Sequence, residues 1–344
     1  MVKFATLNLL HWAKPGIFWH QKDAQRVHTP ASWAAKTGWL ASVLATIDAD
    51  VIAFQEVVSA GELQYLCDQL GYSEFAFITE PRFNADEPSV YTNASLAIAS
   101  RFPIREAHEI GGFGGLIKDT ILDSAAQFSR PALRAVINVP PIGEMVIYSV
   151  HLKSPGTRVD ADVIDTIEGN EAKLSRYFLE RAEAGVDQVA KRAGEAAALY
   201  ARVRHDLSHD RLRPVLVMGD FNDGPQSYTL DIITQRRTVH ALGSAHGDAL
   251  PDDLPELARN YLLFDTEQWA ASQQPQRPAT FRDPTTEKTA ILDYILVSAG
   301  LHPDTPARRA TFADYQVYAD HFEEALDANT SSDHAPVIVT IEPT

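Results

Sequence analysis

The chain alternates short apolar runs with longer segments whose apolar residues recur at helical spacing. The apolar runs are rich in β-branched residues and are bounded by Gly, Pro, Asn and Asp, which is typical of buried strands. They lie at 2–7, 51–55, 75–79, 94–99, 105–110, 132–139, 145–152, 215–218, 291–298 and 337–341. Helical spacing predicts helices over 32–47 and 59–70, and over 171–207 either one helix or two helices separated by a break near Gly185. Strands interspersed with helices in this way predict a single α/β domain over 1–344.

Three polar or Pro-containing stretches interrupt the pattern and predict surface excursions. They cover 10–31, 154–170 and 240–278. The first carries Trp12 and Trp19, whose rings have three interpretations. They stack on the bases of a substrate, cover a lipid or sugar group, or pack on the next helix beside Trp33 and Trp39, and packing is the favoured interpretation.

The composition allows a large buried core and gives the molecule an acidic surface. The chain has 344 residues, of which 45% are hydrophobic, and a net charge of −16. A surplus of carboxylates repels polyanions at long range and argues against a protein that coats duplex DNA. It is compatible with an enzyme that touches a few phosphates and binds its own metal cation.

The sequence predicts a cytoplasmic protein that acts without a partner. Asn8 and His11 interrupt the first apolar run, so the N-terminus does not resemble a signal peptide. No apolar stretch reaches the roughly 18 residues of a transmembrane helix. The single cysteine, Cys67, excludes a disulfide within the chain. No coiled-coil pattern and no obligate protein partner are evident, so a monomer is the default expectation.

The polar residues of most interest share one position, because each lies where an apolar run ends or begins. They are Asn8, Glu56, His151, Asp220, Asn222, Asp293, Asp333 and His334. One such residue alone usually marks the start of a turn. Charged groups are costly to bury without partners, so several of them at the ends of six apolar runs predict one shared polar cluster.

The donor atoms of this cluster favour phosphate chemistry with a divalent cation. Carboxylate and amide oxygens suit Mg²⁺, Mn²⁺ or Ca²⁺, and not a zinc site built from sulfur and histidine. A cation held by Glu56 would bind a phosphate oxygen and offset the charge that grows in the transition state. An aspartate would orient or deprotonate a water for in-line attack, and histidines would neutralise phosphoryl oxygens or assist the leaving oxygen.

Six short motifs carry a resemblance to a known superfamily. In order they are TLN at 6–8, FQEV at 54–57, YSVHLKS at 148–154, GDFND at 219–223, LDYILVS at 292–298 and SDHAPV at 332–337. Together they resemble the endonuclease/exonuclease/phosphatase superfamily, which includes DNase I-like and bacterial nuclease-like members. The resemblance implies the DNase I-like fold, a two-layer β-sandwich of mixed sheets flanked by helices in four α/β/β/α layers. It also implies that the site lies at one edge of the sheets.

The resemblance implies three overlapping groups of site residues. The implied metal ligands are Glu56, Asn8 and Asp333. The implied catalytic residues are His151, Asp220, Asn222, Asp293 and His334, with Asp220 acting on water and Asp293 supporting His334. The implied phosphate-binding residues are Arg130, Asn222 and His334. Arg130 has a second interpretation, as a surface arginine before a strand that starts with proline.

One feature departs from the DNase I pattern. In DNase I a glutamate supports the histidine that His151 matches, and the segment 90–99 has no clear counterpart. Either another acid supports His151 or its ring is less strongly polarised. This places in doubt its role as general acid, although not its place in the site.

Three functional hypotheses follow from these residues. The first is a metal-dependent nuclease acting on DNA or RNA, favoured by His151 and Arg130. The second is a phosphodiesterase or phosphatase acting on a small or lipid-linked ester, favoured by the net charge of −16. The third is a binding module without catalysis on the same fold, which the complete set of catalytic residue types disfavours.

Overall fold

The computed structural model describes residues 1–113, 127–156, 164–236, 254–272, 278–323, 327 and 329–344. The helices are α1 (Pro30–Ile47), α2 (Ala60–Gln69), α3 (Asn170–His209), α4 (Tyr228–Thr234), α5 (Leu254–Arg259) and α6 (Thr266–Ala271). The first strands are β1 (Val2–Trp12), β2 (Phe18–Trp19), β3 (Val51–Val57), β4 (Glu74–Ala76), β5 (Arg82–Phe83), β6 (Val90–Asn93), β7 (Ser95–Ser100) and β8 (Ile104–Gly112). The remaining strands are β9 (Gln127–Val139), β10 (Gly143–His151), β11 (Val215–Asp220), β12 (Leu263–Asp265), β13 (Phe281–Arg282), β14 (Thr289–Ala290), β15 (Asp293–Ser298), β16 (Ala310–Val317) and β17 (Val337–Pro343).

Two six-stranded mixed sheets form the centre of the molecule. The first has the strand order β16-β17-β1-β3-β7-β4, and the second has the order β12-β15-β11-β10-β9-β8. Each sheet has one parallel pair at its middle, β1 with β3 and β10 with β11. Because parallel neighbours end at the same edge of a sheet, the C-terminal ends of these strands meet at one side of the molecule.

The two sheets pack face to face, with helices on both outer faces. Val2 and Phe4 of β1 pack between the sheets against residues such as Met218 of β11. Leu7 on the opposite face of β1 packs under α1 and α2, while Val217 of β11 packs under α3 and α4. This period-two alternation produces a four-layer α/β/β/α arrangement and confirms the predicted fold class.

Most of the predicted strands and helices are present, with longer strands than the apolar runs indicated. Helix α1 starts at Pro30, two residues before the predicted start at residue 32. The reason is that Thr29 and Ser32 form a capping box and Pro30 occupies the first turn. Of the two alternatives over 171–207, the single helix is confirmed and the break near Gly185 is wrong, since α3 continues as one helix from Asn170 to His209. A Cβ at position 185 would meet no other atom within 4 Å, so no close packing requires glycine there. Gly185 therefore disfavours the helix only through its low helix propensity, which the rest of the long helix overcomes.

The three stretches predicted to be irregular surface excursions agree with the structure only in part. The stretch 10–31 is only partly irregular, because β1 extends to Trp12 and β2 lies within it. The stretch 240–278 is not irregular throughout, since it contains α5, β12 and α6. Much of the predicted excursions 154–170 and 240–278 lies outside the described residues, at 157–163, 237–253 and 273–277. Among the described residues, no helix is both long and apolar enough to cross a bilayer.

Candidate active site

The inner faces of the central strands change from apolar to polar toward one edge of the sandwich. In β1 the inward positions continue from Phe4 to Thr6 and then Asn8. Thr6 and Gln55 of the first sheet bond to each other at 3.2 and 3.1 Å, and Gln55 Nε2 donates across to Ser149 Oγ of the second sheet at 3.4 Å. This buried polar layer closes the apolar core and supports the charged residues at the next inward position.

Strand register then places three ionisable residues side by side. His151 is the register partner of Asp220 across the parallel β10–β11 pair. Asp220 is in turn the partner of Asp293 across the antiparallel β11–β15 pair. The strands approach so closely that a Cβ at Gly219 would lie 1.9 Å from the carbonyl oxygen of Val150, and Gly219 has a φ of 149°. Only glycine fits there, which explains the Gly before Asp220.

The carboxylate of Asp220 lies at the centre of the cluster and is almost fully buried. Its Oδ2 accepts a hydrogen bond from Asn8 Nδ2 at 3.1 Å, and its Oδ1 accepts one from the Asn222 N–H at 2.8 Å. His151 Nε2 lies 3.3 Å from Oδ2 and His334 Nε2 lies 3.8 Å from it. Burial raises the pKa of Asp220 to about 7, with nearby Asp293 adding to the effect and His334 opposing it.

His334 is held by Asp293 in a buried acid–histidine pair. Its Nδ1 lies 2.8 Å from Asp293 Oδ2, and its ring packs against Phe281. Burial alone would lower the pKa of His334, but Asp293, Asp220 and Asp333 outweigh it and raise this pKa well above the ordinary value. The contact with Asp293 therefore favours the cationic form of His334, whose Nε2 is directed toward Asp220.

Glu56 reaches the site through an irregularity of its strand. Inward positions of β3 are odd-numbered, so regular pleating would direct Glu56 away from the sandwich interior. Its φ of 62° coincides with register shifts against both neighbouring strands, which is a bulge that redirects the side chain. Glu56 Oε2 accepts the His11 N–H at 3.0 Å. Burial opposes ionisation, but the surrounding basic groups, with His11 the strongest, hold the pKa of Glu56 well below its ordinary value.

Asp333 faces the same region from the other end of the chain. Burial, with a contribution from the charge of Glu56, raises its pKa to about 6. The Ser332 hydroxyl next to it donates to the Asn8 carbonyl at 2.7 Å. This bond fixes the segment before β17 against the end of β1, so that Asn8, Glu56 and Asp333 lie in one neighbourhood.

Lys36 is a site component that the sequence analysis missed. It is fully buried on α1, and its Nζ donates to the carbonyl oxygens of Leu10 at 2.6 Å and Ser331 at 2.9 Å. Burial lowers the pKa of Lys36 to about 7, while the charges of Asp333 and Glu56 act to raise it. The sequence could have indicated Lys36, because it lies four residues before Leu40 in the apolar stripe of α1. A lysine is rarely buried at such a position.

His151 and Arg130 are the remaining basic residues of the site, and both lie close enough to Glu56 to lower its pKa. Burial, together with the charge of Arg130, lowers the pKa of His151 well below its ordinary value. Among the described residues, no group hydrogen-bonds the buried Nδ1 of His151. The supporting glutamate of DNase I thus has no counterpart in the described part of this chain. Arg130 Nη1 donates to the Leu152 carbonyl at 3.4 Å, next to the site.

The site offers oxygen atoms that fit a divalent cation. Within the described part of the chain, Asp333 Oδ1 and Asp293 Oδ1 are buried without a hydrogen-bond partner. A buried carboxylate oxygen without a donor is costly, and a cation would satisfy it. Asp220, Asp293 and His334 also bring their ligand atoms within 4.8 Å of one another. His334 Nδ1 bonds to Asp293, so these three residues are better explained as a hydrogen-bonded pair that faces Asp220. A hard cation fits better in the region of Glu56 and Asp333.

All the residues singled out from the sequence converge on this edge. The set comprises Asn8, Glu56, Arg130, His151, Asp220, Asn222, Asp293, Asp333 and His334. Of the aromatic residues nearby, Trp12 is buried and packs 4.5 Å from Trp33 between ring centroids, as the favoured interpretation proposed. Trp19 instead stacks on His11 with 4.6 Å between ring centroids, and His11 Nδ1 in turn lies 3.5 Å from Glu56 Oε2.

Comparisons with known proteins agree with the fold described above. The model of the endonuclease/exonuclease/phosphatase family matches residues 27–334. The catalytic domain of human Nocturnin with a bound sulfate anion superposes with a TM-score of 0.57 at 15% identity, covering 100% of this chain and 93% of that chain. An AP endonuclease from Archaeoglobus fulgidus gives 0.53 at 14% identity, covering 99% of both chains. A mannosyl-6-phosphatase from Bacteroides thetaiotaomicron gives 0.53 at 15% identity, covering 99% of both.

The similar solved structures establish the fold, and the match to the family model establishes the family. No curated protein matches the sequence. The family model spans most of the chain and ends at His334, so it includes every residue of the cluster except Asn8. The chain therefore belongs to the endonuclease/exonuclease/phosphatase family, whose members are phosphoester hydrolases that typically depend on a divalent metal.

Proposed function

We propose that the protein hydrolyses phosphodiester bonds with the help of a divalent cation and acts as a nuclease on DNA or RNA. The observation that supports this most is the setting of Asp220. Two amides orient its carboxylate, and two histidine nitrogens face the same oxygen at 3.3 and 3.8 Å. This arrangement suits a carboxylate that positions and deprotonates water beside groups that bind a phosphate.

The proposed roles follow from the contacts. Glu56, Asp333 and Asn8 would hold Mg²⁺ or Mn²⁺, which when bound polarises the phosphate and offsets developing charge. Asp220 would orient the attacking water and accept its proton. His334, kept cationic by Asp293, would bind a phosphoryl oxygen, and Asn222 and Arg130 would bind the others. His151, whose pKa burial lowers well below its ordinary value and whose Nδ1 has no hydrogen-bond partner in the described part of the chain, would donate a hydrogen bond but would be a weak general acid.

A phosphodiesterase or phosphatase acting on a small ester is the second candidate function. The net charge of −16 favours it, because a long polyanion is repelled by an acidic surface. The named neighbours include both an AP endonuclease and a sugar phosphatase, so the fold accommodates both substrate classes. A binding module without catalysis is disfavoured because the acid–histidine pair and the central carboxylate are assembled.

A cleavage panel at neutral pH distinguishes the candidates. It offers plasmid DNA, single-stranded DNA, RNA, bis-p-nitrophenyl phosphate and p-nitrophenyl phosphate, each with Mg²⁺, Mn²⁺ or EDTA. The proposal expects EDTA-sensitive nicking or degradation of nucleic acid. Turnover of the small esters alone would overturn the nuclease assignment in favour of the second candidate.

Salt dependence provides an independent check on any nucleic-acid cleavage. An enzyme that contacts several phosphates of a strand loses affinity steeply with salt, because it releases a counterion for each contact. We expect kcat/KM for single-stranded DNA to fall steeply between 50 and 200 mM salt on this basis, by roughly tenfold or more. A nearly flat dependence would indicate contact with a single phosphate and favour the small-ester candidate.

A further inference from the structure

A polar cleft opens beside the catalytic cluster, between the segment after β10 and helix α3. Its volume is about 590 Å³. The lining side chains that matter here are Arg130, Lys153, His20, Asn93, Ser129 and Gln188. No carboxylate is found among the described residues that line it, although the chain carries 46 acidic and 30 basic residues. A cleft with two permanent cations in an acidic protein is suited to an anion.

The cleft adjoins the proposed phosphate site directly. Arg130 Nη1 donates to the Leu152 carbonyl at 3.4 Å, and Asn222 Nδ2 donates to the same carbonyl at 3.0 Å. Asn222 also bonds to Asp220 through its backbone N–H. One carbonyl therefore separates the catalytic cluster from the cleft wall, so a substrate whose scissile phosphate lies at Asp220 extends naturally into the cleft.

Two polar atoms at the cleft are buried without a partner within the described ranges. They are Ser129 Oγ and Gln188 Oε1. Native proteins rarely leave such atoms unsatisfied, because the desolvation cost is not recovered. A ligand that fills the cleft would supply an acceptor to the serine hydroxyl and a donor to the glutamine carbonyl.

Helix α3 fixes the backbone of Ser129 and Lys153, which form one wall of the cleft. The fully buried Glu195 accepts the N–H of Ser129 through one oxygen and the N–H of Lys153 through the other, each at 2.6 Å. Arg192 donates to the Lys153 carbonyl at 3.0 Å and to Asp223 at 3.2 Å. Both backbone groups of Lys153 are thus fixed, which preorganises the cationic side of the cleft.

We infer that this cleft binds a second phosphate group of the substrate, next to the scissile phosphate. Lys153 supplies the charge and donors that the second phosphate requires, and Arg130, which lines the cleft and shares the Leu152 carbonyl with Asn222, lies at the border of the two phosphate positions. The carbonyl of Gln188 suits a hydroxyl of the attached sugar. The inference rests on the proposed function, which supplies the first phosphate. The second phosphate is either the neighbouring diester of a nucleic-acid strand or the terminal monoester of a small molecule, and both present the same chemistry to the cleft.

The test compares substrates that differ only in the flanking phosphate. Thymidine 5′-(p-nitrophenyl phosphate) carries one phosphate, its 3′-phosphorylated form adds a terminal monoester, and a 3′-linked oligothymidylate adds a diester. We expect kcat/KM to be about tenfold higher for at least one flanked substrate, as expected for a charge-assisted contact. Preference for the oligothymidylate alone identifies a strand, and preference for the monoester alone identifies a small bisphosphate. Equal values for all three would overturn the inference.

The variant Lys153→Gln assigns the preference to the cleft. We expect the flanked-to-unflanked ratio of kcat/KM to fall close to one in this variant and to be retained in Lys153→Arg. Lys173→Gln is the matched control, because Lys173 lies on α3 and pairs with Asp165 at 3.4 Å, away from the lining residues. A ratio that falls equally in both glutamine variants would contradict the assignment.

A binding measurement separates this inference from the proposed function. Calorimetry on the Asp220→Asn protein requires no turnover and compares thymidine 3′,5′-bisphosphate with thymidine 5′-monophosphate. We expect the bisphosphate to bind about tenfold more tightly, and this preference to be lost when Lys153→Gln is added. The preference without any esterase activity in the unmodified protein would uphold the cleft and refute the proposed function. Activity without the preference would refute the cleft alone.

Discussion

At the scale of single residues, the site depends on backbone conformations that side chains rarely adopt. Glu56 and Asn222 have φ values of 62° and 53°, in the left-handed region. Each such residue costs about 1–3 kcal/mol and persists where the surrounding structure stabilises it. Hydrogen bonds from the His11 N–H to Glu56 and from the Asn222 amide to Leu152 supply that support. Sequence patterns reveal the motif but not this backbone geometry, because the bulge in β3 arises from pairing with distant strands.

The pair of Asp293 and His334 leads to a kinetic prediction. In Asp293→Asn the partner of His334 Nδ1 loses its charge, so the raised pKa of His334 falls and its cationic form is lost near neutral pH. We expect kcat to fall by about 100-fold, as for other partners that orient an active-site histidine, with a smaller change in KM. The pH–rate profile should also lose activity at a lower pH than in the unmodified protein.

The exposed Asp68 of α2 provides the control for that experiment, because Asp68→Asn changes the same charge far from the cluster. Steady-state kinetics of both variants on one ester are sufficient. A loss confined to KM in Asp293→Asn would show that Asp293 acts on substrate affinity and not through His334.

Lys36 leads to a stability prediction. Lys36→Met removes the donor from two carbonyl groups, those of Leu10 and Ser331, and leaves them inside the protein. We expect a loss of about 2 kcal/mol in the free energy of unfolding, because buried acceptors without donors cost about 1–3 kcal/mol. Urea denaturation measures this change. Lys14→Met, at an exposed lysine paired with Glu62, should stay within about 0.5 kcal/mol, and equal losses in both variants would refute the role of Lys36.

At the scale of secondary-structure elements, α3 both supports the second sheet and positions the substrate cleft. The apolar spacing of its C-terminal half predicts a helix, and Leu199 and Val203 pack on the sheet as such spacing implies. The same stripe contains Arg192 and Glu195, which the sequence does not distinguish from solvated charges. Their partners lie 31 to 66 residues away along the chain, so only the tertiary structure identifies them.

Glu195 therefore gives a prediction for α3 as an element. Glu195→Gln replaces one of two acceptors with a donor that faces a backbone N–H, so one of the bonds to Ser129 and Lys153 is lost. We expect a stability loss of about 1–3 kcal/mol and a rise in KM that exceeds the change in kcat, because the cleft wall shifts. Glu171→Gln, at an exposed position in the first turn of α3, is the matched control. Unchanged stability and KM would show that Glu195 does not hold the wall.

At the scale of the whole molecule, apolar runs predicted the central strands well because both sheets are buried on two faces, whereas the sandwich itself was implied by the family resemblance. Runs such as 215–218 alternate between the core of the sandwich and the helix layer, so they remain apolar throughout. Strand β16 was missed because buried and partly exposed residues alternate irregularly along it, and helix α4 was missed because it is short and several of its buried residues are polar. Charged cross-links between layers were also missed. Arg134 of β9 donates to both oxygens of Asp206 on α3 at 2.8 and 2.9 Å, and Tyr148 of β10 donates to the same carboxylate.

This cross-link predicts a pH-dependent stability. Burial opposes ionisation of Asp206, but hydrogen bonds from Arg134 and Tyr148 outweigh it and lower the pKa of Asp206 below its ordinary value. A lowered folded-state pKa stabilises the protein above the unfolded-state pKa of about 4, and this contribution is lost as the pH falls through the folded-state pKa. We expect Asp206→Asn to lose about 3 kcal/mol at pH 7 and to approach the unmodified protein below about pH 4.

Thermal or urea unfolding across pH measures this difference, with the exposed Asp187→Asn on the same helix as control. A stability difference that stays constant from pH 7 to pH 3 would show that ionisation of Asp206 is not its source.

The most direct test of the central claim is the hydrolysis of bis-p-nitrophenyl phosphate by the unmodified protein and by Glu56→Ala, with Mg²⁺ and with EDTA. We expect EDTA to abolish turnover, added Mg²⁺ to restore it, and Glu56→Ala to lower it by about 1,000-fold or more, because a metal contribution of several kcal/mol is removed. Calorimetric titration of Mg²⁺ should show weaker binding in Glu56→Ala. Turnover that persists in EDTA, or that is unchanged in Glu56→Ala, would contradict a metal-dependent phosphodiesterase at this site.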